Sequence, residues 1–457
     1  MKYLRTLLFS FLAMCIPQYA LAFESHSEQL VAIDSPLAIL ALVIFFASYL
    51  LVIFEEKLHL PKSKPMIFSA GLLWVVAAIV GNQLGVSHET MQIAVTHNLE
   101  EFAELFLFLL VAMIYINALE ERNIFEALKG YLINRGFNYQ QLFWVTSGIA
   151  FVLSPVADNL TTALIMGAVV MAVGRDSPKF IAQTCIVIVV AANAGGAFSP
   201  FGDITTLMVW QSGHATFFDF FQLFVPSLVN YLIPALIISR YVPKGQPLKQ
   251  GEFVEVKSGG FLVVGLFLAT ITLAVTFENL LGLPPYLGMM FGLSLLFLTI
   301  YLKKRQLQKG HEDSEFNVFS KLAIPEWDTL LFFFGVMYCV GALGFLGYLT
   351  SISQVMYGDW GATAANVTAG AISAIIDNIP VMFAILTMQP DMDHFQWLLI
   401  TFTAGVGGSL LSVGSAAGVA LMGTAKGHYT FMAHLKWTWA IGLGYAGGII
   451  THFLLNS

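Results

Sequence analysis

Charged side chains are scarce in this chain. Of its 457 residues only 11% are Asp, Glu, Lys or Arg, while 57% are hydrophobic. A soluble domain carries about 25% charged residues to keep its surface wetted. A soluble enzyme, a nucleic-acid binder and a disordered scaffold are therefore excluded. About 20 apolar residues make one span, so the composition fits an all-α polytopic membrane protein. Cysteine is sparse as well. Cys15, Cys185 and Cys339 form no CxxC or Cys/His spacing, which leaves no zinc site, redox pair or disulfide framework. No cofactor is implied.

The little charge there is falls in a pattern. Lys2 and Arg5 precede an apolar run that ends in Ala20-Leu21-Ala22, the layout of a secretory signal peptide over residues 1–22. The alternative is a short first helix that is kept. Apolar runs follow near 36–54, 66–83, 99–118, 141–174, 180–212 and 218–240. The second half has runs near 259–279, 285–302, 328–349, 361–390, 395–424 and 430–453. Under the positive-inside rule, the cytoplasmic loops carry Lys57, Lys62 and Lys64; Arg122, Lys129 and Arg135; Arg175 and Lys179; Arg240 to Lys257; Lys303 to Lys321; and Lys426 and Lys436. With the leader, these loops account for all 21 basic residues. The scheme holds only if the runs at 141–174 and 361–390 enter and leave on one side, as re-entrant hairpins. Non-helical backbone at that depth is tolerated only inside protein or beside a watered cavity. The mature N-terminus and the C-terminus are then expected to be periplasmic.

The hairpin tips match each other. Ser154-Pro155-Val156-Ala157-Asp158-Asn159 and Ser373-Ala374-Ile375-Ile376-Asp377-Asn378 share Ser-x-x-x-Asp-Asn. A second pair follows in the same order, Gly195-Gly196 to Asp203 and Gly407-Gly408 to Ser415. Two matches at the same stage of a six-element unit indicate an internal duplication. The expected division is a first repeat at 23–240, a cytoplasmic linker at 241–258 and a second, inverted repeat at 259–457. Each repeat would carry a re-entrant hairpin and a broken helix, the plan of secondary transporters.

Asp158, Asp203 and Asp377 lie farthest from any expected interface, and no Lys or Arg lies in an expected core. A central Asp costs roughly 2.5–3.5 kcal/mol to insert, so such residues mark a pathway. A mobile cation or a proton must neutralise them. Oxygen donors suit Na⁺ or Li⁺ and offer nothing to a soft metal. Competition between H⁺ and Na⁺ for one set of carboxylates is itself a coupling mechanism. Asp158 and Asp377 are the expected exchanging pair, with Na⁺ at Asp158, Asn159, Asp377 and Asn378. Thr161 and Thr162 join from the hairpin, beside the tip residues Ser154 and Ser373. Asn193, Asp203, Thr205, Thr206, Ser412 and Ser415 join from the unwound helices. Hydroxyls bonded back to their own helix are the alternative. Farther out, His97, Glu100, Glu101 and Glu104 share one helix face. With His214 they are either a pH-sensing group or a polar helix end.

SPVADNLTT at 154–162, GGAFSPFGDITTLMVW at 195–210 and SAIIDNIP at 373–380 resemble the NhaD-type bacterial Na⁺/H⁺ antiporters of the ion transporter superfamily. The likeness runs from about Ile39 to the C-terminus. It implies exchange of cytoplasmic Na⁺, often Li⁺, for external H⁺ at alkaline pH, with a role in sodium and pH homeostasis. It also implies a bacterial inner-membrane location, a homodimer, and pH response at His97 and His214. The same resemblance implies function at Asp158, Asn159, Asn193, Asp203, Thr205, Thr206, Asp377, Asn378, Ser412 and Ser415. Asp203 answers to Ser415 in the second copy, so the site is expected to be lopsided. The nearest rival is a Na⁺-coupled dicarboxylate or citrate carrier of the same superfamily, though Asp at both tips repels an anion. An intramembrane aspartyl protease is remote, since it gives no reason for a duplication.

Overall fold

The structure is a computed structural model and describes residues 33, 35–246, 254–307, 327–425 and 427–457. The leader at 1–22 lies outside the described residues, as does part of the linker. The first half runs α1 (Pro36–Ile53), α2 (Ser63–Gln83), α3 (His88–Glu121), α4 (Ile124–Asn134), α5 (Tyr139–Ala157), α6 (Asn159–Val173), α7 (Pro178–Gly196), α8 (Ile204–Gln211) and α9 (Phe224–Ser239). The second half runs α10 (Gly260–Leu281), α11 (Pro285–Leu307), α12 (Trp327–Phe345), α13 (Tyr348–Ser353), α14 (Ala362–Ile372), α15 (Asn378–Met388), α16 (His394–Gly407), α17 (Ala416–Thr424), α18 (Phe431–Leu435) and α19 (Thr438–Asn456). No strand occurs among the described residues, and ten helical stretches there are long and apolar enough to cross a membrane.

Burial is arranged for lipid. Phe261 and Leu280 are 76% and 78% exposed, while Asn193, Thr205, Thr206 and Asn230 are wholly buried. Such an inverted distribution costs little in hydrocarbon and would cost a great deal in water. The chain is a multi-pass membrane protein.

The third span is longer than hydropathy suggests. Its helix begins at His88 rather than near 99, because Ser87 caps it by accepting from the Thr90 N–H at 3.0 Å. At 1.5 Å per residue its 34 residues reach about 50 Å. His97, Glu100, Glu101 and Glu104 therefore sit well inside the helix and do not open it.

Both expected hairpins are helix–break–helix pairs. Between α5 and α6 the chain turns at Asp158, whose φ of 56° is a left-handed value that side chains other than glycine rarely adopt. Its carboxylate repays part of that strain by accepting from the N–H and hydroxyl of Thr161, each at 2.7 Å. The break between α14 and α15 runs from Ser373 to Asp377, the residue just before α15 begins. The two Gly-Gly segments end α7 and α16 in the same way.

The duplicated motifs also make duplicated contacts. Ser154 Oγ donates to the Ala192 carbonyl at 2.6 Å, and Ser373 Oγ to the Ala404 carbonyl at 3.0 Å. Gly195 packs against the Phe151 carbonyl as Gly407 packs against that of Gly370, leaving no room for a Cβ at either position. The same pair of helices, α5 on α7 and α14 on α16, is thus locked by the same small-residue approach.

Loops meet in two groups. Arg122 Nη1 donates to the Ser258 carbonyl at 3.2 Å, and the Tyr139 N–H to that of Gly245 at 3.1 Å. Elsewhere, His394 Nε2 lies 3.6 Å from Asp219 Oδ1, and Asn456 Nδ2 donates to the Gln222 carbonyl at 3.1 Å.

Candidate functional site

The two hairpin breaks and the first unwound segment converge on one cavity of about 120 Å³, which the second copy touches at Ala416, just past its unwound segment. Its polar wall includes Lys62, Asn117, Asp158, Asn159, Thr161, Asp203, Asp377 and Asn378, and Phe108, Phe201, Phe267 and Phe333 close it.

Asp203 is the hub. It caps α8, accepting from the Thr205 N–H at 2.9 Å and the Thr205 hydroxyl at 3.0 Å. That position faces the positive end of the helix. Asn159 Nδ2 donates to Asp203 Oδ2 at 2.7 Å, and Asn378 Nδ2 donates to the same oxygen at 3.1 Å. The Asn residues of both hairpin tips therefore meet on one carboxylate. Asn159 also donates to Asn193 Oδ1, and Asn193 Nδ2 to Ser415 Oγ, each at 3.1 Å. Ser415 caps α17 in the position that Asp203 holds on α8. The site is lopsided, with a carboxylate on one side and a hydroxyl on the other.

The remaining sequence candidates divide by what they touch. Asp377 lines the cavity and its Oδ1 has no hydrogen-bond partner among the described residues. Its backbone N–H donates to the Tyr49 hydroxyl of α1 at 2.8 Å. Thr162 Oγ1 and Ser412 Oγ are buried without partners among the described residues, and neither lines the cavity. Thr206 Oγ1 donates to the carbonyls of Ser199, at 2.8 Å, and Asp203, at 2.6 Å, which holds the unwound segment in shape. Ser154 and Ser373 are spent on helix packing.

Three residues at this site escape the sequence reading. Asn117, a lone amide at the end of an apolar run, and Tyr49, a hydroxyl in one, were visible signals. In the sequence, Lys62 marks only a basic loop. The structure corrects the expectation that no basic residue reaches the central carboxylates, because the Lys62 side chain extends from the start of α2 to the cavity wall. A loop's sequence does not reveal which way its side chains reach.

A second cavity, about 600 Å³, is lined by His97, Glu100, Glu101, Glu104, Gln211 and His214. The two histidines, far apart in sequence, thus share one space. His97 Nε2 lies 3.4 Å from Glu101 Oε1, and the His214 ring stacks on Trp397 at 3.7 Å. Partial burial in its loop pushes the His214 pKa below its ordinary value. The cavities follow each other along α3, where Glu104 and Leu105 face the second and Phe108 and Leu109, one turn on, face the first.

A family model described as a citrate transporter matches residues 49–407. Among curated proteins the chain is similar to the Na⁺/H⁺ antiporter NhaD of Vibrio cholerae serotype O1, 53% identical over 96% of each chain. The NhaD of Alkalimonas amylolytica is 52% identical over 97% of this chain and 96% of its own. The chain belongs to the NhaD family of Na⁺/H⁺ antiporters. The likeness extends beyond bacteria, since sodium/proton antiporter 2 of Arabidopsis thaliana is 30% identical over 91% of this chain and 99% of its own. These NhaD relatives are named as transporters rather than enzymes, and their identity covers the motif-bearing halves together.

Proposed function

We propose that this NhaD-family chain exchanges cytoplasmic Na⁺ or Li⁺ for external H⁺, with Asp158, Asp203 and Asp377 as the carboxylates for which the two cargoes compete. The observation that carries the reading is the meeting of Asn159 and Asn378 on Asp203, inside a cavity that Asp158 and Asp377 also line. Oxygen donors and a wall of phenylalanines suit a small hard cation. A carboxylate that gives up its proton gains a cation, so either cargo neutralises the site and the two exclude each other.

The proposed frame is a pair of inverted repeats, 23–240 and 259–457, joined by a linker at 241–258, with re-entrant hairpins at 141–174 and 361–390. The loop contacts agree with it: Arg122 meets Ser258 and Tyr139 meets Gly245 on the face assigned to the cytoplasm. Asp219, Gln222, His394 and Asn456 gather on the face assigned to the periplasm. On this topology the cavity of His97 and His214 is an outer vestibule that sets the pH response, with activity highest at alkaline pH. The proposal includes cleavage of the leader after Ala22, a bacterial inner-membrane location, and a homodimer.

The description of the matching family model keeps a citrate or dicarboxylate carrier as the second reading. Three carboxylates in one small cavity repel such an anion. In everted vesicles carrying a pH-sensitive dye, Na⁺ or Li⁺ should dequench the fluorescence at alkaline pH. Silence there, with citrate uptake in its place, would overturn the antiporter reading.

A further inference from the structure

Lys62 is a basic side chain that reaches the wall of the carboxylate cavity. Its backbone is pinned on both sides. The Lys62 N–H donates to Glu55 Oε1 at 3.3 Å, and the neighbouring Ser63 hydroxyl bonds to Asp328 at the start of α12. The long side chain is therefore the mobile part. Its ammonium stands 4.7 Å above the centre of the Phe332 ring, a cation–π contact, and makes no ion pair with Asp377 within 4 Å. Asp377 lines the same cavity, and its Oδ1 has no partner among the described residues.

We infer that Lys62 is a tethered cation that competes with the transported cation for Asp377, parked on Phe332 when the carboxylate holds a proton or Na⁺ and swung to the carboxylate when it is empty and charged. This rests on the antiporter reading and adds a third competitor to Na⁺ and H⁺. Lys62 is a positioning residue, since it holds no cargo itself. Its role is to keep an empty, deprotonated Asp377 from standing as a bare charge in a site of low dielectric. It also sets how readily Na⁺ and H⁺ bind. The charged and titratable groups around this pair are Asp158 and Asp203 in the same cavity wall, Tyr49 on the Asp377 backbone, Glu55 on the Lys62 backbone and Asp328 through Ser63. Lys62 is the basic member among them.

The signature is a pair of opposite shifts. Removing the ammonium takes away a repelling neighbour of Na⁺, so apparent affinity for Na⁺ rises where protons are scarce. The same removal lets the proton stay on the carboxylates to higher pH. In everted vesicles, Lys62→Met should lower the KM for Na⁺ at the alkaline end by about threefold or more and move the pH profile toward alkaline values. Lys62→Arg keeps the charge and should restore the pH profile. If Lys62→Met matches the wild type in both KM and pH profile, the inference falls. It falls equally if Lys62→Met and Lys62→Arg are altered alike, because bulk rather than charge would then matter. Should Lys62→Met fail to reach the membrane, Phe332→Leu decides. Loss of the ring frees the ammonium and should raise the KM for Na⁺, and an unchanged KM overturns the inference. Wild-type vesicles in the same assay separate the two levels, since their silence would reject the antiporter reading itself.

Discussion

Asn378 donates its side-chain amide to both oxygens of Asp203, at 3.3 and 3.1 Å, across 175 positions of sequence. Asn159 donates to Asp203 from the other hairpin at 2.7 Å. One carboxylate is therefore shared by both halves of the molecule. Asp203→Asn keeps the shape but replaces one acceptor oxygen with an NH₂ that points at donors. Exchange should fall below detection while the protein stays in the membrane at its normal level, read by vesicle dequenching and immunoblot. Near-normal exchange would remove Asp203 from the site.

The link between halves has its own measurement. Asn378→Ala removes only the contact from the second hairpin, and Asn159→Ala only that from the first. Each should raise the KM for Na⁺. The pair should be non-additive, with a coupling of about 0.5–3 kcal/mol, because the two amides share one acceptor. Strict additivity in a double-mutant cycle would mean that they act independently.

Much of this arrangement is legible in the sequence because it rests on backbone chemistry. Gly195-Gly196 and Gly407-Gly408 mark the ends of α7 and α16, and Asp-Asn marks both hairpin breaks, since helices need special residues to stop inside an apolar run. Contacts between distant side chains are not legible. Nothing in the sequence brings His97 to His214, or turns Lys62 toward the carboxylate cavity rather than away from the bundle. Hydropathy likewise places the start of α3 too late, because hydropathy follows lipid contact whereas the helix follows its Ser87 cap.

Gly195 and Gly407 offer a paired test of the duplication. A Cβ at either would meet the backbone carbonyl of the helix packed against it, Phe151 in one half and Gly370 in the other. Backbone cannot move aside as a flexible side chain can, so Gly195→Ala and Gly407→Ala should each cost about 1–3 kcal/mol. Both should lower the melting temperature in detergent. Gly71→Ala, with open space around it, should not.

The pH dependence of stability follows from His214. Partial burial lowers its pKa in the folded state, so the fold favours the neutral ring. The unfolded chain then binds the proton more readily as pH falls below about 6.5. The contribution of His214 is thus intact above that value and is lost as pH drops through the folded pKa. Melting temperature should decline over this acid window, and His214→Gln should flatten the decline. A wild-type slope in the variant would show that other groups carry it.

Tyr49 tests whether α1 supports the site. Its hydroxyl oxygen accepts the backbone N–H of Asp377 at 2.8 Å. Phenylalanine at this position would fill the same space and leave that donor unpaired in a buried place. An unsatisfied buried donor costs about 1–3 kcal/mol, and the chain would avoid the cost by rotating the peptide at the break. That rotation moves the Asp377 side chain, which leaves the same residue. Tyr49→Phe should therefore raise the KM for Na⁺ severalfold without abolishing exchange, and should change the melting temperature little once the peptide has relaxed. A large fall in melting temperature with an unchanged KM would mean that Tyr49 braces α1 against the bundle and leaves the ion site alone.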